Sequence, residues 1–257
     1  MWYLAAVPIL SILLALTSGS PLVGVVSFIL LSVWIGPGIF VVGAPFLSRP
    51  LVRVRTGKPF VAITFDDGPH PVYTRRILAL LGEHGARATF FVVAQNARRH
   101  PDVIGEIVSA GHEISNHSTA HRHLLSLLGL RTQLDDIGTA QRIIEESSGT
   151  SPGFYRPPMG YKTPETFRAA RRLGLVLVGW DVKAFDTVSS DPRRIARRVL
   201  SRARPGSIVL LHDAPTLKKR LTDRSATVEA LPLILEGLRA KGLLCVTLSN
   251  LAKANGD

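Results

Sequence analysis

Charge is missing from the start of this chain. Of its 257 residues, the first 48 contain no Asp, Glu, Lys, Arg or His, so all 31 Lys+Arg and all 19 Asp+Glu lie from Arg49 onward. So long a charge-free run is hard to hide inside a small soluble domain, which argues against a core helix. It also argues against a simple signal peptide, because no Lys or Arg precedes it and it ends too late. The run reads as a membrane anchor over residues 1–48. An apolar segment at 2–17 is interrupted by Ser18-Gly19-Ser20-Pro21, and a second at 22–47 is broken by Pro37 and Pro45. Two arrangements stay open: a hairpin of two transmembrane segments, or one span from about Leu22 with the first segment lying in the interface.

Cysteine is nearly absent. Cys245 stands alone, which excludes an intrachain disulfide and any metal site built on cysteines. Its surroundings, Leu243-Leu244-Cys245-Val246-Thr247-Leu248, read as a core strand. Acidic residues are scarce relative to basic ones, giving a net charge of +12. The chain nevertheless lacks zinc-finger spacing, an RNA-recognition aromatic pattern and a reading helix, so no specific nucleic-acid partner is expected. Arg193, Arg194, Arg197 and Arg198 surround Ile195 and Val199 and read as a solvated outer helix face, or as a contact for anionic lipid. Arg49, Arg53, Arg55 and Lys58 follow the leader directly. The positive-inside rule would put that flank in the cytoplasm, while the same residues would also suit anionic headgroups, so the side of the membrane stays open.

Beyond Lys58 there is no internal repeat. Short apolar runs at 60–65, 88–93, 113–115, 154–156, 175–182, 207–212 and 243–248 read as seven strands. Between them, helical periods fall at 72–84, 101–110, 132–147, 164–173, 192–203 and 227–241, several opened by Pro and closed by Gly. Such alternation means parallel βαβ units. The expected fold is α/β, a distorted seven-stranded (β/α) barrel over residues 58–257, one unit short of eight.

In a parallel barrel, chemistry sits at the carboxyl ends of the strands. Here the first strand ends in Asp66-Asp67, the third in Asn116-His117-Ser118-Thr119-Ala120-His121 and the fourth in Arg156-Pro157-Pro158-Met159-Gly160. The fifth ends in Trp180-Asp181 with Asp186 beyond it, and the sixth in His212-Asp213. His117 and His121 are spaced i, i+4, so on one helical turn they would grip one ion. With one carboxylate they make a set that leaves coordination positions open, compatible with zinc. One aspartate of the pair would bind the metal and the other would take a proton from water. Arg156 would hold that base ionised, Asp186 would orient Arg156, and His212 would protonate the leaving group. His70 and His112 flank the rim and pack or bond backbone, while His84, His100 and His123 read as surface or loop residues.

These residues carry a resemblance. From about Lys58 to its end the chain resembles the polysaccharide deacetylases, the NodB-homology domains of carbohydrate esterase family 4. Five ordered stretches match: TFDDGP at 64–69, HSTAH at 117–121, RPPMG at 156–160, WDVKAFD at 180–186 and LLHD at 210–213. The resemblance implies Asp66 as catalytic base and Asp67, His117 and His121 as ligands of a divalent metal ion, with Zn2+ expected. It implies Arg156 and Asp186 as partners beside the base, and His212 as catalytic acid near a leucine-lined acetyl pocket at Leu210. Pro158, Met159, Gly160 and Trp180 are implied to line the substrate groove. Met159 and Thr187 stand where the family often has aromatics, a departure that touches substrate recognition and leaves the reaction intact.

The implied activity is metal-dependent removal of N-acetyl groups from an amino-sugar polysaccharide of chitin-oligomer or peptidoglycan type. The implied partners are an N-acetylated glycan and a membrane. A lipid-linked N-acyl sugar is the alternative substrate, and an inactive carbohydrate-binding relic is the non-enzymatic reading.

Overall fold

The computed structural model describes residues 13–14, 16–40, 49–215 and 223–255. In chain order the elements are α1 (Pro21–Phe40), β1 (Phe60–Asp66), α2 (Tyr73–Glu83), β2 (Ala88–Val92), α3 (Ala94–Arg99), α4 (Pro101–Ser109) and β3 (Glu113–Asn116). They continue with α5 (Leu130–Ser148), β4 (Phe154–Tyr155), α6 (Pro164–Arg172), β5 (Val176–Leu177) and β6 (Val182–Lys183). The chain closes with α7 (Pro192–Leu200), β7 (Ile208–His212), α8 (Ser225–Ala240), β8 (Leu244–Cys245) and α9 (Leu248–Lys253).

The strands form one curled sheet in the order β5-β4-β3-β2-β1-β7-β6, with β8 added to the start of β1, and every strand pairing in it is parallel. Alternation along β1 sorts its side chains onto two faces. Val61, Ile63 and Phe65 pack outward beneath the helices, while Ala62 joins Phe91, Ile208, Leu248 and Leu251 inside the curl. Thr64 and Asp66 share the inner face with Ala62, so an apolar strand delivers its polar residues to the interior.

The strand expected over 175–182 is two short strands at opposite edges of the sheet, so the curl is a half-barrel. Asp181 explains the break: its carboxylate accepts from the Ile208 amide (2.8 Å) and the Ser207 hydroxyl (2.9 Å), where a continuous strand would use backbone. The gap is stitched by the segment ahead of β1. The Leu51 amide donates to the Leu177 carbonyl (2.8 Å), the Val54 amide to the Gly206 carbonyl (2.9 Å), and Arg53 Nη2 to the Pro205 carbonyl (3.0 Å). The folded domain therefore takes in residues ahead of the expected start at Lys58. The last expected strand, 243–248, is short because Thr247 caps α9, its hydroxyl accepting from the Asn250 amide.

Helix ends follow the local chemistry that was read from the sequence. Pro101, Pro164 and Pro192 open α4, α6 and α7. Gly149 closes α5 in the left-handed conformation at φ 66°.

Among the described residues no helix is long and apolar enough to cross a membrane, so the expected transmembrane anchor is not found among them. Most of the first expected segment, and the end of the second, lie outside the described residues. α1 carries no charge and exposes Leu22, Val25, Phe28 and Val33. Its last carbonyls meet the sheet domain at Lys162, which is buried and whose Nζ donates to the Gly38 carbonyl (2.6 Å) and whose amide donates to that of Ile39 (3.1 Å).

Gly206 tests the stitch. It sits at φ +84° with its α-carbon so close to the stitching segment that a Cβ would lie 1.9 Å from the Val54 carbonyl oxygen. Gly206→Ala is expected to lower unfolding free energy in urea by about 2–4 kcal/mol. A change within about 0.5 kcal/mol would mean that the segment moves aside without cost.

Candidate functional site

β1 ends in two adjacent aspartates that the backbone sends different ways. Asp66 is the last residue of the strand and keeps to the inner face. Asp67 follows at φ 77°, and its carboxylate reaches the loop after β3.

Asp66 belongs to a buried ion pair. Arg156, fully buried just past β4, donates from Nη1 to Asp66 Oδ1 (2.6 Å) and to the Thr64 hydroxyl (2.8 Å), and from Nη2 to the Gly179 carbonyl (2.9 Å). Its guanidinium lies 4.0 Å from the centre of the Phe91 ring. Burial disfavours the cation, and the Asp66 carboxylate opposes that loss.

The expected pairing of Asp186 with Arg156 does not occur. Asp186 instead holds His212. Its Oδ1 lies 3.0 Å from His212 Nδ1, and its Oδ2 accepts from the His212 amide (2.8 Å) and the Thr227 hydroxyl (3.1 Å). With its proton donated to Asp186, Nδ1 leaves Nε2 to the cavity that His212 lines. Burial works against a charged imidazole here, but Asp186 outweighs it and His212 is raised to about 9. Asp66 and His212 are register partners on β1 and β7, so the two groups stand side by side at one rim.

His117 and His121 do converge, though not on a helical turn. His117 follows β3 directly, and the chain then turns through Ser118 (φ 73°) and His121 (φ 50°), bringing the rings to 5.0 Å between centres. Asn116 Oδ1 accepts from the Ser118 amide, and the Ser118 hydroxyl from that of His121, which fixes the loop. His117 Nδ1 lies 2.7 Å from the Arg156 carbonyl, an acceptor, so a ring proton sits on Nδ1 and Nε2 is turned toward Asp67. His117 Nε2 is 3.5 Å and His121 Nε2 3.2 Å from Asp67 Oδ1. Ligand bonds of about 2.0–2.1 Å at a tetrahedral angle separate donor atoms by about 3.3 Å, so this set fits a divalent cation. Burial works against a charged His117, but Asp66 and Asp67 raise it, so an ion would have to displace its Nε2 proton. Burial would raise Asp67, but its hydrogen bond to His117 and the surrounding imidazoles pull it well below the usual carboxylate range. His121 is pushed down to about 4, first by burial and then by His117, which leaves it neutral, as a metal ligand would need to be.

A cavity of about 260 Å³ opens beside these groups, with Asp66, Asp67, Trp180, Leu210 and His212 in its walls. Met159 and Gly160 line it as expected, whereas Pro158 is buried outside the lining. Lys183 and His123, neither of them anticipated from the sequence, also reach it. The supporting groups that sequence reasoning missed are Thr64, Asn116, Thr227 and Asp213. Thr64 was legible, lying two residues before Asp66 on the same strand face. Asp213 braces the aspartate loop, accepting from the Gly68 amide (3.1 Å) and the Thr74 hydroxyl (2.6 Å).

Comparison with known proteins gives the same picture. Residues 53–178 match the profile of the polysaccharide deacetylase family. A peptidoglycan-N-acetylglucosamine deacetylase from Bacillus cereus is 35% identical over 78% of this chain and 92% of its own length. A chitooligosaccharide deacetylase from Sinorhizobium fredii is 36% identical over 76% and 93%. Among solved structures, a CE4 family pseudoenzyme from Bacillus anthracis superposes with a TM-score of 0.73 at 26% identity, covering 80% of this chain and 69% of that one. Since the fold also occurs without activity, the argument for chemistry rests on the side chains of the cavity.

His212 is expected to titrate near 9 when its imidazole resonances are followed by NMR. Asp186→Asn removes the largest of the charges that oppose burial, with Asp67 and Asp66 left in place, so the same resonances should then titrate at lower pH. An unchanged titration would mean that Asp186 does not control this ring.

Proposed function

The chain belongs to the polysaccharide deacetylase family, and we infer that it is a metal-dependent hydrolase removing N-acetyl groups from an amino-sugar polysaccharide. The observation that carries this reading is the placement of Asp66 and His212 as neighbours on β1 and β7, beside the Asp67, His117 and His121 set.

A divalent ion on Asp67, His117 and His121 would supply Lewis-acid chemistry, drawing charge from the acyl carbonyl and acidifying water. Two imidazoles and one carboxylate, with coordination positions left open, are a donor set suited to catalytic zinc, which is the ion proposed here. Asp66 is the base. Arg156 occupies its Oδ1, so Oδ2 takes a proton from the attacking water. The water oxygen bonds to the acyl carbon while the carbonyl π pair moves onto its oxygen. The Met159 backbone amide, on a rim turn at φ 61°, is the proposed donor to that oxyanion. Return of the pair breaks the C–N bond, and His212 Nε2 gives its proton to the departing amine. Acetate and the free amino sugar are the products. Leu210 and Trp180 form the apolar wall against which the acetyl methyl would sit.

The substrate we favour is a chitin-oligomer or peptidoglycan type glycan. Membrane attachment through the leader is proposed as well, supported by the charge-free first 48 residues and the exposed apolar side chains of α1. With the catalytic rim joined to α1 through Lys162, a lipid-linked N-acyl sugar is the second substrate to try.

The test is acetyl release from N-acetylglucosamine oligomers by the full chain, metal-stripped and zinc-restored. Release should need the metal, and Asp66→Asn should lower kcat about 10²–10⁴-fold. Release that survives chelation, or survives Asp66→Asn undiminished, would refute the mechanism. Stoichiometric zinc binding without release would direct the search to lipid-linked acyl sugars.

A further inference from the structure

A second cavity, of about 320 Å³, adjoins the first, and Asp67 and His121 line both. The proposed metal ligands thus form a ridge with a pocket on either side. A glycan held with one N-acetyl group in the first cavity and running over that ridge would bring its neighbouring sugar to the second.

The second cavity is built from the parts that hold the ridge. The Asn96 side-chain amide donates to the Asp67 carbonyl (2.8 Å), while the Ala94 and Gln95 amides donate to the Ser118 and Thr119 carbonyls (3.1 and 3.0 Å). Its wall is therefore fixed to the same loops as the ligands, as a positioned subsite requires. His70 Nδ1 accepts from the Val72 and Tyr73 amides (3.2 and 3.3 Å), and the ring stacks on Tyr73 at 4.7 Å. The ring proton is thereby confined to Nε2, which makes His70 a fixed donor at the cavity edge. Gln95 adds an exposed side-chain amide. Arg99, at the end of α3, adds an exposed guanidinium with no carboxylate partner among the described residues. Among the described residues the one carboxylate in the lining is Asp67, which faces the imidazoles of the ridge, and the half-buried His100 adds an imidazole beside Arg99. The free charge of this cavity is therefore positive, the complement of an anion.

We propose that the second cavity is a subsite for a carboxylate carried by the sugar next to the one deacetylated, with Arg99 as counter-charge and the His70 Nε2–H and Gln95 amide as hydrogen-bond donors. A planar guanidinium can take both oxygens of a carboxylate at once, a geometry that a neutral hydroxyl cannot match. The assignment rests on the deacetylase reading of the first cavity and narrows it, from amino-sugar polymers in general to those with acidic substituents. A neutral oligomer would still be accepted, with Arg99 left to solvent.

The experiment measures binding, so that it does not depend on turnover. The full-length zinc-loaded protein, in an Asp66→Asn background, is titrated calorimetrically with a disaccharide of N-acetylglucosamine and N-acetylmuramic acid bearing its free lactyl carboxylate, and with the same disaccharide as the carboxamide. The carboxylate form should bind about 10-fold tighter, a preference worth about 1.4 kcal/mol. Arg99→Gln should bring the two forms within about twofold, and Arg99→Lys should retain part of the preference. Equal affinity for the two forms, absence of binding by both, or a preference that survives Arg99→Gln would overturn the assignment. Acetyl release is assayed separately on neutral oligomers. A carboxylate preference in a chain that releases no acetate would leave the subsite standing and remove the catalytic reading beneath it.

Discussion

A guanidinium buried in the interior of a curled sheet constrains everything around it. Removing one partner of such a pair strands the other charge and costs about 3–5 kcal/mol, so Arg156 and Asp66 have to be positioned together. The constraint reaches three parts of the fold. Thr64 and Asp66 must share one face of β1, Arg156 must emerge just past β4, and the chain must break after β5 so that the Gly179 carbonyl is free to accept. Arg156 also presents its own carbonyl to His117 Nδ1. One residue thus orients the proposed base through its side chain and a proposed metal ligand through its backbone.

The groups needed for chemistry were legible because β1, β3 and β7 end where apolar runs stop, and a strand end at the barrel rim has one place to go. The partners of those groups were less legible. Asp186 lies close in sequence to Trp180 and distant from His212, yet it pairs with His212 across the β6–β7 edge, and Thr227 completes the contact from the start of α8. Local patterning says which face a residue takes and leaves open which distant side chain meets it there. The 175–182 run misled for a similar reason. Its apolar composition reads as one strand, while Asp181 breaks it by binding the backbone of its neighbour. The short helix α3 showed no apolar period and was invisible, although it supplies Gln95, Asn96 and Arg99 to the second cavity's polar wall.

Backbone strain is distributed with the same economy. Among the described residues, the non-glycine residues at positive φ are Asp67, Ser118, His121, Met159 and Phe185. Each belongs to, or adjoins, a loop that bears a site residue. Such conformations cost of order 1–3 kcal/mol apiece and persist only where the surroundings over-determine them. Here the surroundings are the polar braces: Asn96 on Asp67, Asn116 on Ser118 and Ser118 on His121. The His-X3-His spacing, which resembles a helical pair in the sequence, is realised by two left-handed residues in a loop.

The stitch at residues 51–54 bears on how the molecule is made. Arg53 and Pro205 meet across 152 residues of chain, and Leu51 pairs beside β5 from an equally early position. A segment synthesised before β1 has no docking surface until β5 and the approach to β7 have been made. Contacts that distant are also the ones whose loop-closure entropy is recovered last. By the same measure the β1–β7 and β1–β8 pairings are as late, since they join residues equally far apart or farther. Closure of the seam therefore belongs with closure of the sheet on that side of β1, after β1 to β5 have been made in order.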